Sequence, residues 1–299
     1  MWLLLAFASA FFLGIYDLNK KFALTDNAVI PVLFLNTLFC SLFFLPALLI
    51  SHFSPETLRG SIFYVPDIDF QTHLHILLKS FIVLISWGGA YMAIKNLPIT
   101  LVSPIRATQP ALVLLGALFL FGEKLNFWQF SGVLLAITCF FLYSWAGKKE
   151  GISFLTNKWI WCLFLAVLSG SASGLYDKYL IGEYDRMAVQ VWYLVYQVFM
   201  MLPILLIFWL PVRKTSVSFK FRWTIIGISF FLCLSDFVYF YALSIPGSMI
   251  SIISTIRRSS AVVSFSFGAL LFHEKNIRTK AIILGGVLLG MFMLFLGSL

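Results

Sequence analysis

The 299 residues are 61% hydrophobic and 18% aromatic but only 11% charged, against roughly 45–50% apolar and 25% charged in soluble domains, which excludes an ordinary soluble chain. The net charge of +9 invites a nucleic-acid partner, but the basic residues are dispersed among short loops with no patch of stacking aromatics, so no nucleic acid is expected. The partner that this composition demands is a lipid bilayer.

Read for apolar runs between polar breaks, the sequence yields ten expected spans: 2–24, 27–51, 73–94, 98–121, 127–146, 159–181, 188–210, 222–243, 248–272 and 278–296. Each is close to the ~20 residues that cross a bilayer as a helix. The first lacks the basic start of a secretory signal, and a polar cluster of Asp17, Asn19, Lys20 and Lys21 ends it in place of a cleavage site. Asn96-Leu97-Pro98 and Ile245-Pro246-Gly247 read as tight turns, since proline lacks an N–H and glycine stops helices. In the fourth span Pro104 and Pro110 flank Arg106 and should bend the helix. The ninth span holds "STIRRSSA", residues 254–261, with Arg257 and Arg258 at its centre. An arginine there costs at least about 2.5 kcal/mol, so something must compensate. Cys40, Cys139, Cys162 and Cys233 fall inside spans without paired spacing and read as packing residues. No metal or cofactor is expected.

Alternating the loops of ten spans places Lys20, Lys21, Lys95, Lys148, Lys149, Lys158, Arg213, Lys214, Lys220, Arg222, Lys275, Arg278 and Lys280 on one face. Arg59, Lys79, Lys124, Arg186 and Lys178 go to the other. The positive-inside rule makes the first face cytoplasmic and puts both termini outside.

The chain reads as a duplication. Ser9, Ala10, Gly14, Tyr16 and Asp17 match Ser169, Gly170, Gly174, Tyr176 and Asp177 at an offset of 160, and "SPIRATQPALVLLGALFLFGEK" matches "STIRRSSAVVSFSFGALLFHEK" at 151. Arg106 thereby pairs with Arg257, and Glu123-Lys124 with Glu274-Lys275. The expected organisation is a five-helix repeat at 1–146, a polar linker at 147–158 and a second five-helix repeat at 159–299. Five spans is an odd number, so the second repeat enters from the opposite side, an inverted repeat of the kind common in secondary transporters.

With "FGEKLNFWQFSGVLLAITCFFLYS" and "FHEKNIRTKAIILGGVLLGMFMLFLGS" closing the two halves, the chain resembles the drug/metabolite transporter superfamily, EamA type. The second half departs from the pattern in having His273 before Glu274. The resemblance implies an all-α, multi-pass carrier of a bacterial inner membrane, commonly an exporter of amino acids or other small metabolites.

Depth arithmetic puts Arg106 about 12 Å and Arg257 about 14 Å from the ends of their spans, both near the midplane. Inverted-repeat carriers bind substrate there. Three aspartates are available: Asp17, its mate Asp177, and Asp236, which aligns with Trp87 after the shared serines Ser86 and Ser235. Two roles are open. The aspartates neutralise Arg106, Arg257 and Arg258 and fix the packing, or the arginines hold an anionic substrate with Gln109, Tyr91 and Tyr239 lining the site. Asp236 with Arg258 is the candidate for proton coupling. Glu123 and Glu274, at membrane borders, read as helix caps or as partners of the adjacent lysines.

Ala10 with Gly14, Gly170 with Gly174 and Gly286 with Gly290 would permit close helix contact. Internal packing is the default, and the last span also offers a homodimer contact. No HExxH or GxSxG occurs, and His52, His73, His75 and His273 are scattered, so an enzyme is not expected. The reading is a carrier exporting a small polar metabolite by alternating access. The alternatives are a lipid-linked sugar flippase, which needs a laterally open groove, and a channel-like permease.

Overall fold

The computed structural model describes residues 2–112, 126–148, 150–245, 248, 250–272 and 274–297. The stretch around Gly116, Glu123 and Lys124, together with Pro246, Gly247 and His273, lies outside them. Among the described residues every regular element is helical. In chain order these are α1 (Trp2–Leu24), α2 (Val29–Phe53), the single turn α3 (Pro55–Leu58), α4 (Phe70–Asn96) and α5 (Ile99–Ala107). Then follow α6 (Phe127–Lys148), α7 (Lys158–Glu183), α8 (Arg186–Ile204), α9 (Trp223–Ser244), α10 (Ile250–Arg258), α11 (Ser260–Phe272) and α12 (Ile277–Leu296). A π-helical turn, Leu205–Trp209, continues α8 just after Pro203, which has no N–H for the α ladder.

Among the described residues eight helices are long and apolar enough to cross a membrane: α1, α2, α4, α6, α7, α8 with its π turn, α9 and α12. The two other expected spans are not continuous helices as described. That at 98–121 gives α5, a break at Thr108 and one turn at 109–112 before the description stops. That at 248–272 is split at Ser259 into α10 and α11.

The two breaks share one local chemistry. Thr108 Oγ1 donates to the Ile105 carbonyl at 2.7 Å, and Ser259 Oγ to the Ile256 carbonyl at 2.6 Å. The next turn starts from the same residue each time, with Ala111 N–H on the Thr108 carbonyl and Val262 N–H on the Ser259 carbonyl. A hydroxyl that bonds back to the preceding turn competes with the helical ladder and bends it. All these positions correspond at the 151-residue offset, and α5 and α10 begin and end on corresponding residues.

Packing crosses between the halves. The principal partner of α1 is α9, and that of α4 is α7. Ser9 Oγ donates to the Ser235 carbonyl at 2.8 Å and Ser235 Oγ returns a bond to the Ser9 carbonyl at 2.9 Å. Ser86, the mate of Ser235, donates across to the Ala166 carbonyl at 2.8 Å. Each bond lets two backbones approach closely without leaving a buried hydroxyl unsatisfied. Gly286 and Gly290 of the last helix face α6: a Cβ on Gly286 would stand 2.7 Å from Cys139 Sγ, and one on Gly290 3.1 Å from the Gly132 carbonyl. That motif is therefore used for close packing inside the chain. The outer surface is apolar, with Leu4, Phe53, Trp223 and Ile282 among its most exposed side chains, as lipid solvent requires.

Candidate functional site

Among the described residues the bundle centre holds two clusters of ions, with buried aspartates and lysines and half-buried arginines. The first lies near the end where α1 finishes. Asp17 accepts from Arg106 Nη1 at 2.8 and 3.0 Å and from Lys20 Nζ at 2.9 Å. Lys20 follows Asp17 by three residues and so shares its face of α1. Its ammonium stands 3.9 Å from the Tyr16 ring centre and 4.9 Å from that of Tyr91, where the ring faces favour a cation. Tyr91 is fully buried and serves here as a wall for Lys20.

The second cluster lies toward the other end, since Lys79 precedes Lys95 by sixteen residues, about 24 Å along α4. Lys79 is hydrogen-bonded to Asp177 of α7, and its ammonium lies 5.1 Å from the Tyr193 ring centre. Asp236 of α9 accepts from Tyr193 Oη at 2.6 Å and from Arg257 Nη2. The Arg257 guanidinium covers the Tyr239 ring at 4.2 Å, while its Nε finds no partner.

The expected one-to-one neutralisation is corrected here. Asp17 serves Arg106 and also Lys20, Asp236 serves Arg257, and Asp177 is taken by Lys79. Among the described residues Arg258 has no carboxylate within ion-pair distance. It is half-buried and ends α10, which packs against α1 and α9, the helices of Asp17 and Asp236. Gln109 is buried; its Nε2 donates to the Val167 carbonyl at 3.1 Å and its Oε1 is unpartnered.

Lys20, Lys79 and Lys280 had been assigned to loops in the charge count, yet all three are buried among the helices. The asymmetry of the remaining loop cations is unaffected. Two signals were present in the sequence. Lys79 lies well inside the expected span 73–94, and Lys20 lies one turn from Asp17. Tyr193 had no such signal, because its role depends on α8 packing beside α9.

Glu274 is a cap, but of another helix. Its carboxylate accepts from Ile99 N at 2.7 Å, Thr100 N at 3.0 Å and the Thr100 hydroxyl. A negative charge at the first turn of α5 satisfies free N–H groups and complements the helix dipole. Lys280 sits beside it, bonded to Thr100 Oγ1 at 3.0 Å and to Glu150 at 2.9 Å. The second half thus anchors the start of the broken helix that carries Arg106. At the opposite end, His73 and His75 point apart: His73 Nδ1 meets Tyr196 Oη at 2.7 Å and His75 Nδ1 meets Tyr176 Oη at 2.8 Å. Beside the Thr108 break a cleft of about 170 Å³ is lined by Ile105 and Leu112, by Ile137 and Phe141 of α6 and by Phe164 of α7. Phe141 is among the exposed apolar residues.

The arrangement can bind an anion and exchange ion-pair partners. Among the described residues no group of His, Cys, Asp and Glu is placed to hold a metal. No curated protein matches the chain. A solved structure titled only as the crystal structure of a protein superposes with a TM-score of 0.61 at 14% identity, covering 96% of this chain and 95% of its own. This likeness shows a shared fold. The apolar helices mark a multi-pass membrane protein, and its residues 1–145 match the EamA-like transporter family of the drug/metabolite transporter superfamily.

Proposed function

We propose that this protein is a secondary carrier of the cell membrane that exports a small polar metabolite, an amino acid or other carboxylate, by alternating access. The observation that carries the reading is the repeated centre: a helix interrupted one or two residues after an arginine, in each half, at corresponding positions. Interrupted helices in transporters free backbone groups around a midplane site. The reading takes the chain as ten spans in two inverted repeats, with the two halves rocking about that site.

In the proposed cycle a substrate carboxylate competes with Asp17 for Arg106 and with Asp236 for Arg257, so that arrival of substrate loosens one cluster while the other holds its end closed. Asp236 is the residue for proton coupling. When Arg257 turns to substrate, Asp236 keeps only the Tyr193 hydroxyl as its partner. A second reading, transport of a lipid-linked molecule, draws on the apolar cleft between α5, α6 and α7, which a lipid chain would fit.

The test is an untargeted comparison of metabolites in the medium of cells expressing wild type, the Arg257→Gln variant or neither. A metabolite enriched only with wild type, with the variant folded and in the membrane, is the expected result. Equal export by the variant removes Arg257 from the site. No difference among the three, with protein present, refutes export.

A further inference from the structure

We infer that the cleft beside the Thr108 break seats an acyl chain of a bilayer phospholipid, held as a resident lipid and not as cargo. The inference needs only the membrane as solvent and stands apart from the carrier reading. Ile105, Thr108 and Leu112 line one wall at helical spacing, across the break that ends α5. Arg106, about 100° round the helix from Ile105, turns instead to Asp17, with Nη1 at 2.8 Å. Deep in the cleft are Ala136 of α6 and Val167 of α7, both buried. At its mouth Ile137 and Phe141 of α6 and Phe164 of α7 are exposed on the lipid-facing surface, so the cleft opens sideways toward hydrocarbon.

Water does not suit this space. A buried water needs about two to four polar partners, and the Thr108 hydroxyl, the only one among the described lining residues, is already bonded to the Ile105 carbonyl at 2.7 Å. Nor does a headgroup, since no described lining residue is ionisable. The volume of about 170 Å³ is close to the ~150 Å³ of an apolar cavity that stays dry and admits benzene, so it holds a segment of about six carbons. Left empty, the lining atoms would lose dispersion contacts, and in lipid such packing, not the hydrophobic effect, drives association. The mouth is continuous with the exposed apolar face of α7 at Leu165 and Leu168, which the bilayer covers, so acyl chains are the hydrocarbon that reaches it.

In the similar stretch of the second half, protein makes the contact that the cleft leaves open. Leu112 corresponds to Val263 at the 151-residue offset, and a Cβ on Gly14 of α1 would stand 2.5 Å from Val263 Cβ and 3.2 Å from the Ser260 carbonyl oxygen. The helix after the Ser259 break therefore lies directly on α1. Gly174 of α7 corresponds to Gly14 at the offset of 160 and shares the face of Phe164, Val167 and Ser171. Among the described residues a Cβ there would meet nothing within 4 Å. Where α1 closes on one break, α7 is bridged to the other by Gln109, whose Nε2 donates to the Val167 carbonyl at 3.1 Å, and the cleft lies beside that bridge.

The experiment places the full chain in nanodiscs of dioleoyl phosphatidylcholine with a trace of phosphatidylcholine carrying a diazirine in one acyl chain, and maps the photo-adducts by peptide mass spectrometry. Peptides that carry 136–141 and 164–168 should be labelled several-fold more than the α12 peptide around Ile282, although Ile282 is the more exposed. Ala136→Leu, which fills the cleft from within, should bring the two to the same level. Should Ala136→Leu fail to fold, Ile137→Trp, which closes the mouth, takes its place. A phosphatidylglycerol probe should label the cleft as phosphatidylcholine does. Equal labelling of the cleft and α12 in wild type overturns the inference, and so does cleft labelling that survives the filling variant. Adducts formed only by the anionic lipid would mean headgroup binding and refute the seat. Adducts formed only by a diazirine-bearing polyprenyl phosphate would refute the resident lipid and favour a lipid-linked cargo.

Discussion

Gly88 and Gly89 are neighbours in α4 whose surroundings differ, and replacing each by alanine tests the α4–α7 contact that brings Lys79 to Asp177. A Cβ on Gly89 would stand 2.5 Å from the Cys162 carbonyl oxygen and 3.2 Å from Ala166 Cβ, whereas one on Gly88 meets nothing within 4 Å. The Cys162 oxygen is backbone and cannot turn away, so the helices must part by roughly 1 Å at that level to restore van der Waals separation. Such overpacking costs about 1–3 kcal/mol. Both substitutions gain the same helix preference of alanine over glycine, about 1 kcal/mol, so it cancels in the comparison. Gly89→Ala should therefore be less stable than Gly88→Ala by about 1–3 kcal/mol, and Gly88→Ala should be at least as stable as wild type. The assay is unfolding in detergent followed by tryptophan fluorescence. If Gly89→Ala unfolds together with Gly88→Ala or after it, the close approach of α4 to α7 is wrong.

Glu274→Ala removes the acceptor for Ile99 N, Thr100 N and the Thr100 hydroxyl and should cost about 1–2 kcal/mol, the range for loss of a helix cap. Glu274→Gln should retain part of it, and an alanine variant with wild-type unfolding would refute the cap. Asp69, the N-cap of α4, accepts from Thr72 N and Oγ1, which holds its carboxyl below the ordinary value. Its contribution is therefore present above about pH 4, the unfolded pKa, and lost as pH falls through the lower folded value. Asp69→Asn should keep the cap while removing this part of the acid dependence, which an unfolding series against pH would detect; an unchanged acid limb contradicts it.

Glu274 illustrates how far local sequence reached. Its place between two expected spans suggested a cap or a pair with Lys275, and a cap it is, but on α5. The sequence distance from Glu274 to Ile99 carries no local signal, so only the packing of α11 against α5 could identify the capped helix. The helix breaks were hidden for a related reason. Pro104 and Pro110 announced a bend near Arg106, whereas Ser259 is an unremarkable serine whose effect arises from its bond to the Ile256 carbonyl.

By itself the sequence determined the membrane as solvent and the helical class, because hydrocarbon admits few chain architectures, and it set Arg106 and Arg257 in similar stretches 151 residues apart. It also marked Asp17, Asp177 and Asp236 as the acids available in the core. Only the tertiary structure decided which cation meets which aspartate, and that Lys20 and Lys79 belong to the core and not to the loops. Ion-pair partners are chosen by side chains meeting across helices far apart in sequence. A lysine's fate depends on whether a neighbouring helix supplies a carboxylate within its reach. That choice left Arg258, at the end of α10, with no carboxylate partner among the described residues.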